Sequence, residues 1–234
     1  MELWLEWARG PAFRFAFVLM LLGLARLIVL NLLGLITLMR QAQDKNVPVR
    51  TVLRETLRWL FPFSKVPKPQ LLFTSASFIF HICIIVIPLF LGAHILLWEK
   101  GLGVGWPAMD QSWADLMTLV AVATSLILVG RRLSARATRA LSRVQDYLLP
   151  LIIATPFVTG YLAMHPSINP FNYSSTMFLH VMGGNLIFLL IPFTKLSHVV
   201  LFPTTQVVSE MGWHLVADSG RRVALALGKE GEAI

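Results

Sequence analysis

The hydrophobic positions of this chain gather into five long blocks rather than into an amphipathic period. They cover roughly residues 13–39, 71–97, 113–130, 147–164 and 175–202. The block at 71–97 holds no Asp, Glu, Lys or Arg. About 20 apolar residues suffice to cross the hydrocarbon core as a helix. In lipid the backbone must satisfy its own hydrogen bonds, so each block is predicted to be an α-helix. The predicted fold class is all-α, an integral-membrane five-helix bundle, with residues 1–234 forming a single domain. The block at 113–130 is the shortest. The first block is too long for a signal-peptide core and lacks a small-residue cleavage site, so it is expected to be retained.

Polar positions between the blocks set the orientation. The first connection carries Arg40, Lys45, Arg50, Arg54, Arg58, Lys65 and Lys68 against Asp44 and Glu55. The third carries Arg131, Arg132, Arg136, Arg139 and Arg143 against Asp146. The second has one Lys and two acids, and the fourth has no charge. Excess Lys and Arg marks the cytoplasmic side. The N-terminus is therefore expected outside and the C-terminus inside, in a multi-pass protein of the inner (cytoplasmic) membrane. All seven tryptophans fall at block ends or in connections, as an aromatic belt requires. Within the first inner connection, 49–61 reads as an amphipathic helix. Arg50, Arg54 and Arg58 recur every four residues opposite Val49, Val52, Leu53, Leu57 and Leu60. Such a helix suits the anionic leaflet or a cytoplasmic partner.

Composition adds exclusions. Charged residues are 14% of the chain and apolar residues 56%, against about 25% charged in soluble domains. The net charge of +8 sits between spans, where topology explains it without nucleic acid. The lone cysteine, Cys83, excludes an intrachain disulfide and any iron–sulfur cluster held by this chain alone.

Four of the six histidines fall within the blocks: His81 and His94 in the second, His180 and His198 in the fifth. Histidine in a membrane helix points to function by default. His180 and His198 are 18 residues apart, which in one helix is five turns and roughly 27 Å on one face. His81 and His94 are 13 apart, or roughly 20 Å. Spans two and five run antiparallel. His81 is then level with His198 near the inner surface, and His94 with His180 near the outer. Two stacked His–His pairs suit six-coordinate b-type haem iron, which carries electrons without binding oxygen. Thirteen residues turn a straight helix by about 220°, so Pro88, and Pro192 in the other span, are expected to bend the helices into register. Gly183 and Gly184, one turn past His180, leave room for helix packing or for a porphyrin.

These segments, "FHICIIVIPLFLGAHILLW" and "FLHVMGGNLIFLLIPFTKLSH", resemble the respiratory nitrate reductase gamma subunit. The same superfamily includes the membrane cytochrome b subunits of the sulfite-reduction-associated DsrMKJOP complex and of heterodisulfide reductase. "FTKLSH" and "DYLLPLIIATPFVTGYLAMH" look most like those two branches. The resemblance covers roughly 71–202, and the wider histidine spacing of span two departs from the nitrate reductase pattern. It implies two haem b groups, a quinone (menaquinone or ubiquinone) as redox substrate, and a cytoplasmic iron–sulfur partner subunit. The chain would then be the electron-transfer subunit of a quinone-linked oxidoreductase complex.

Other residues fill out that expectation. Arg26 lies mid-span, where an unpaired charge costs at least a few kcal/mol. Arg26, Lys195, Arg131 and Arg132 are candidate partners for haem propionates. Glu99, Lys100 and Asp110 are candidates beside a quinone, whose oxidation releases protons. His165 reads as a loop residue or a quinone ligand, and His214 as a surface residue. A haem-free anchor or a small proton-coupled transporter is the alternative. The anchor would not need matched histidine pairs; in the transporter the histidines would relay protons, but the chain shows no internal repeat of the kind transporters carry.

Overall fold

The computed structural model describes residues 1–42, 50, 53–54, 57–58, 67–213 and 217–231. Every regular element among them is helical. In chain order these are α1 (Glu2–Trp7), α2 (Phe13–Gln41), α3 (Leu71–Phe90), α4 (Gly92–Leu102), α5 (Gln111–Ser134), α6 (Arg136–Leu141), α7 (Val144–Met164), α8 (Tyr173–Leu190), α9 (His198–Trp213) and α10 (Ser219–Ala226). Five stretches are long and apolar enough to cross a membrane: Glu2–Gln41, Leu71–Phe90, Gln111–Ser134, Val144–Met164 and Tyr173–Phe193. The protein is an all-α, multi-pass membrane protein.

Several boundaries differ from the hydropathy blocks. The first helix begins at Glu2 and passes through a π-helical turn, Ala8–Ala12, around Pro11. Proline has no N–H to give, and the widened turn absorbs the loss. The third span is 24 residues, the longest of the last four and not the shortest. Asp110 caps its first turn by accepting from Ser112 N, and the helix runs on through Arg131–Ser134 past the apolar block.

Neither histidine-bearing block is one continuous helix. The 71–97 block ends as α3 at Phe90, Leu91 is extended, and α4 starts afresh at Gly92. Three residues earlier, Pro88 has removed one rung of the ladder. The carbonyls released at the break are taken from the loop beyond: Trp106 Nε1 donates to Leu89 O at 2.8 Å and Met109 N to Phe90 O at 2.9 Å. The 175–202 block ends as α8 at Leu190. It then passes through 3₁₀ turns at Ile191–Phe193 and Lys195–Ser197, with Thr194 extended between them. Pro192 supplies the break and Thr194 caps both sides. Its hydroxyl donates to Leu190 O at 2.7 Å and accepts from Leu196 N at 3.3 Å. The single five-turn helix expected to carry both His180 and His198 is therefore interrupted, and their spacing does not place them on one face.

The chain groups into two compact units, Met1–Phe17 with Val66–Phe188, and Val18–Lys65 with Leu189–Ile234. In the first, α3 packs on α5 and α5 on α7. Cys83, Ile87 and Ala121 form a buried cluster, with Leu91, Met117, Val120 and Phe157 against it. Ser125 Oγ ties α5 to α7 by donating to Pro150 O at 2.9 Å. Asn185 is buried and its Nδ2 donates to Ala8 O at 3.1 Å, which joins α8 to the π-helical turn.

In the second unit, Gly23 admits Pro192, since a Cβ there would stand 2.5 Å from the proline Cβ. Thr204 Oγ1 meets Asn31 Oδ1 at 3.2 Å. Of the amphipathic 49–61 segment, Arg50, Leu53, Arg54, Leu57 and Arg58 are helical and exposed. The rest of it, like His214, lies outside the described residues.

Candidate functional site: a histidine pair on two spans

His94 stands in the first turn of α4, placed by the break at Leu91, whose carbonyl accepts from His94 N at 2.9 Å. His180 stands midway along α8. The two imidazoles face each other, with ring centres 6.0 Å apart and planes 16° from parallel. A metal held by both would be bound through a ring nitrogen of each.

The His180 ring is held from α7. Its Nδ1 lies 2.8 Å from Pro156 O. A carbonyl only accepts, so this contact places the proton on Nδ1 and leaves Nε2 as the basic nitrogen, the arrangement a metal-bound histidine adopts. Gly160, one turn further along α7, makes the close approach feasible. A Cβ there would sit 2.9 Å from His180 Cε1 and 3.0 Å from Nδ1. His94 is less fully held. Its Nδ1 is buried without a hydrogen-bond partner, and the Pro88 carbonyl lies against the same ring.

The two glycines after His180 divide in role. Gly183 faces α7, where an added Cβ would touch Pro156 Cδ at 3.4 Å. Gly184, on the same face as His180, would meet nothing within 4 Å. The space beside His180 is therefore at Gly184, and Gly183 serves helix contact.

The remaining candidates are scattered. His81 Nδ1 faces Ser77 O at 2.7 Å and His198 Nδ1 faces Lys195 O at 2.7 Å, so each also directs its proton to backbone. They belong to different compact units. Arg132 is engaged with Ser142 Oγ at 3.2 Å and lies 5.1 Å over the Phe73 ring. Arg131 is half-buried beside it, and Arg26 and Lys195 are exposed on α2 and on the 3₁₀ turn before His198. Glu99 and Lys100 are exposed in the last turns of α4, with Glu99 against Gly105. Asp110 is occupied as the N-cap of α5, accepting from Ser112 N at 2.9 Å and from the Ser112 hydroxyl. The Ser112 hydroxyl, first, and then its amide hold that carboxyl below the usual range.

Sequence reasoning missed four features. Gly160 and Pro156 form the cradle for His180. A proline followed four residues later by glycine in a bulky apolar span was the available signal. Arg9, on the π-helical turn, stands within electrostatic reach of His180. His165 lies in the loop after α7, as expected, but its partners were not read. Its Nε2 is 3.2 Å from Asp115 Oδ2, its Nδ1 is 2.9 Å from Tyr161 O, and its ring stacks on Tyr161 with centres 4.2 Å apart. Gln111 Nε2 completes the group by donating to Asp115 Oδ1 at 2.8 Å.

No family model matches the chain. No solved structure matches it either. A protein of Nitratidesulfovibrio vulgaris (strain Hildenborough), described only as "Protein", is 34% identical over 158 residues, which are 67% of this chain and 68% of that one. At that identity and coverage, the chain belongs to the same family as this N. vulgaris protein.

Proposed function

We propose that this chain is a dihaem b-type membrane cytochrome subunit. It passes electrons between the membrane quinone pool and a cytoplasmic iron–sulfur partner of a respiratory redox complex. The observation that carries this reading is the His94–His180 pair, two near-parallel imidazoles 6.0 Å apart on separate helices. Four supports accompany it. The Pro156 carbonyl fixes the ligating tautomer of His180. Gly160 makes room for its ring, and Gly184 leaves open space beside it. Arg9 brings a positive charge near His180 that suits a propionate.

A haem held by His94 and His180 would supply reversible one-electron chemistry. The chain's own part is to set ligand distance, tautomer and burial. The second haem is the expectation raised by the sequence positions of His81 and His198, each of which holds a carbonyl at Nδ1. With one cysteine the chain holds no cluster itself, so electrons leave to a partner that does. The basic first and third connections support a partner on the cytoplasmic side of the inner membrane. Quinone chemistry needs a titratable neighbour. Glu99 and Lys100 remain candidates for that role, whereas Asp110 is committed to its cap.

Removing one ligand at a time tests the assignment. His94→Phe and His180→Phe should each lower haem b by one per chain in the purified protein, leaving the second haem in place. Unchanged haem content in both variants would remove this pair from the site.

A further inference from the structure

Arg26 sits inside α2, which is unbroken from Phe13 to Gln41. The flanking charges on this helix are Arg14 and Arg40, about 18 Å and about 21 Å away along the axis. A hydrocarbon core is about 30 Å thick, so Arg26 lies near its middle. Shifting the helix to bring Arg26 to one surface would draw Arg14 or Arg40 into the core. Snorkelling serves helix ends, not this depth. A charge so placed is almost always paired.

Among the described residues, no acid of the spanning helices lies at that depth. Of the chain's 12 acids, those within the spanning helices are Glu2, Glu6, Asp115 and Asp146, each within five residues of a helix N-terminus. Glu210 lies beyond the spanning stretches, the last of which ends at Phe193. A second copy of this chain has the same acids at the same depths.

Arg26 also belongs to an exposed stripe. Gly23 and Asn31 mark the face of α2 turned toward Pro192 and Thr204. Leu22, Arg26, Val29 and Leu33 recur at four, three and four residues to one side of it. The three apolar members are 63%, 53% and 55% exposed. That spacing is the ridge one helix presents to another.

We infer that this stripe docks a membrane-spanning helix of a different subunit, and that Arg26 pairs there with an Asp or Glu at mid-depth. The pairing is charge-complementary and hetero-oligomeric, and it does not depend on the haem assignment.

A photo-crosslinking residue at Leu22 or Val29, in native membranes containing the whole complex, tests this. The expected product joins this chain to a second membrane protein with an acid midway along a spanning helix. Arg26→Gln should lower its yield at least tenfold, and Arg26→Lys should retain most of it. Neutralising the partner's acid should reproduce the Arg26→Gln loss. The isolated Arg26→Gln chain should melt no lower than wild type, because an unpaired charge has been removed. Four results would overturn the inference: crosslinks only within this chain or to lipid, a partner lacking such an acid, an unchanged yield in Arg26→Gln, or a lower melting temperature of the isolated variant. Loss of haem from Arg26→Gln with the crosslink intact would assign Arg26 to a propionate instead.

Discussion

His180 Nδ1 lies 2.8 Å from the carbonyl oxygen of Pro156, across the contact between α8 and α7. This one bond sets the ring's tautomer and orientation, and it depends on the absence of a side chain at Gly160. Gly160→Ala should therefore push the ring off its carbonyl. Overpacking of this kind costs about 1–3 kcal/mol, and haem content should fall with it. Gly184→Ala, placed where an added Cβ meets nothing, should keep both stability and haem. Gly184→Leu should keep the fold and lose haem. Thermal unfolding and haem per chain, measured on the three variants, check this ordering.

The break at Leu91 gives a second expectation. Trp106 Nε1 satisfies the Leu89 carbonyl left over by that break. Trp106→Phe keeps the ring and deletes the donor, a loss of about 1 kcal/mol. His94 starts the next turn, so its alignment with His180 should loosen as well. Thermal unfolding should show the first effect, and broadened low-spin haem resonances the second.

The Asp115–His165 pair is partly exposed, 24% and 30%. Exposed ion pairs contribute about 0–1 kcal/mol. Asp115→Asn should thus cost under about 1 kcal/mol at low salt, and the difference should shrink at high salt. A larger loss, insensitive to salt, would mean that the carboxylate does more than join two helix ends.

Asp110 provides a pH signature at the start of α5. Its carboxyl is held below the ordinary value, chiefly by the Ser112 hydroxyl and then by its amide. A depressed folded pKa means that the cap's stabilisation is present above the unfolded pKa and lost as pH falls through the folded one. Protection of the Ser112 and Trp113 amides, measured against their intrinsic exchange rates, should fall on acidification in the wild type. In Asp110→Asn, protection should not follow that titration.

The spans were legible because hydropathy is a property of each segment alone. A run such as 147–164 must leave water whatever it packs against, and the observed Val144–Met164 differs by three residues at one end. The breaks were legible only in kind. Pro88 and Pro192 announce an interruption, but its position depends on which distant groups collect the released carbonyls. For Pro88 these are Trp106 and Met109, contacts made in three dimensions. Opposed spans implied that His94 meets His180. The glycine and carbonyl that hold the ring come from a third helix, which no spacing rule reaches. Asp115 and His165 are 50 residues apart, and nothing in either local sequence marks the other.

Haem iron held by His94 and His180 is tested by a reduced-minus-oxidised visible spectrum of the purified chain, with a pyridine haemochrome assay on the same sample. A low-spin b-type spectrum and two haems per chain are expected, one of them lost in His180→Phe. A wild-type protein that is folded, membrane-inserted and free of b-type absorption would contradict this assignment.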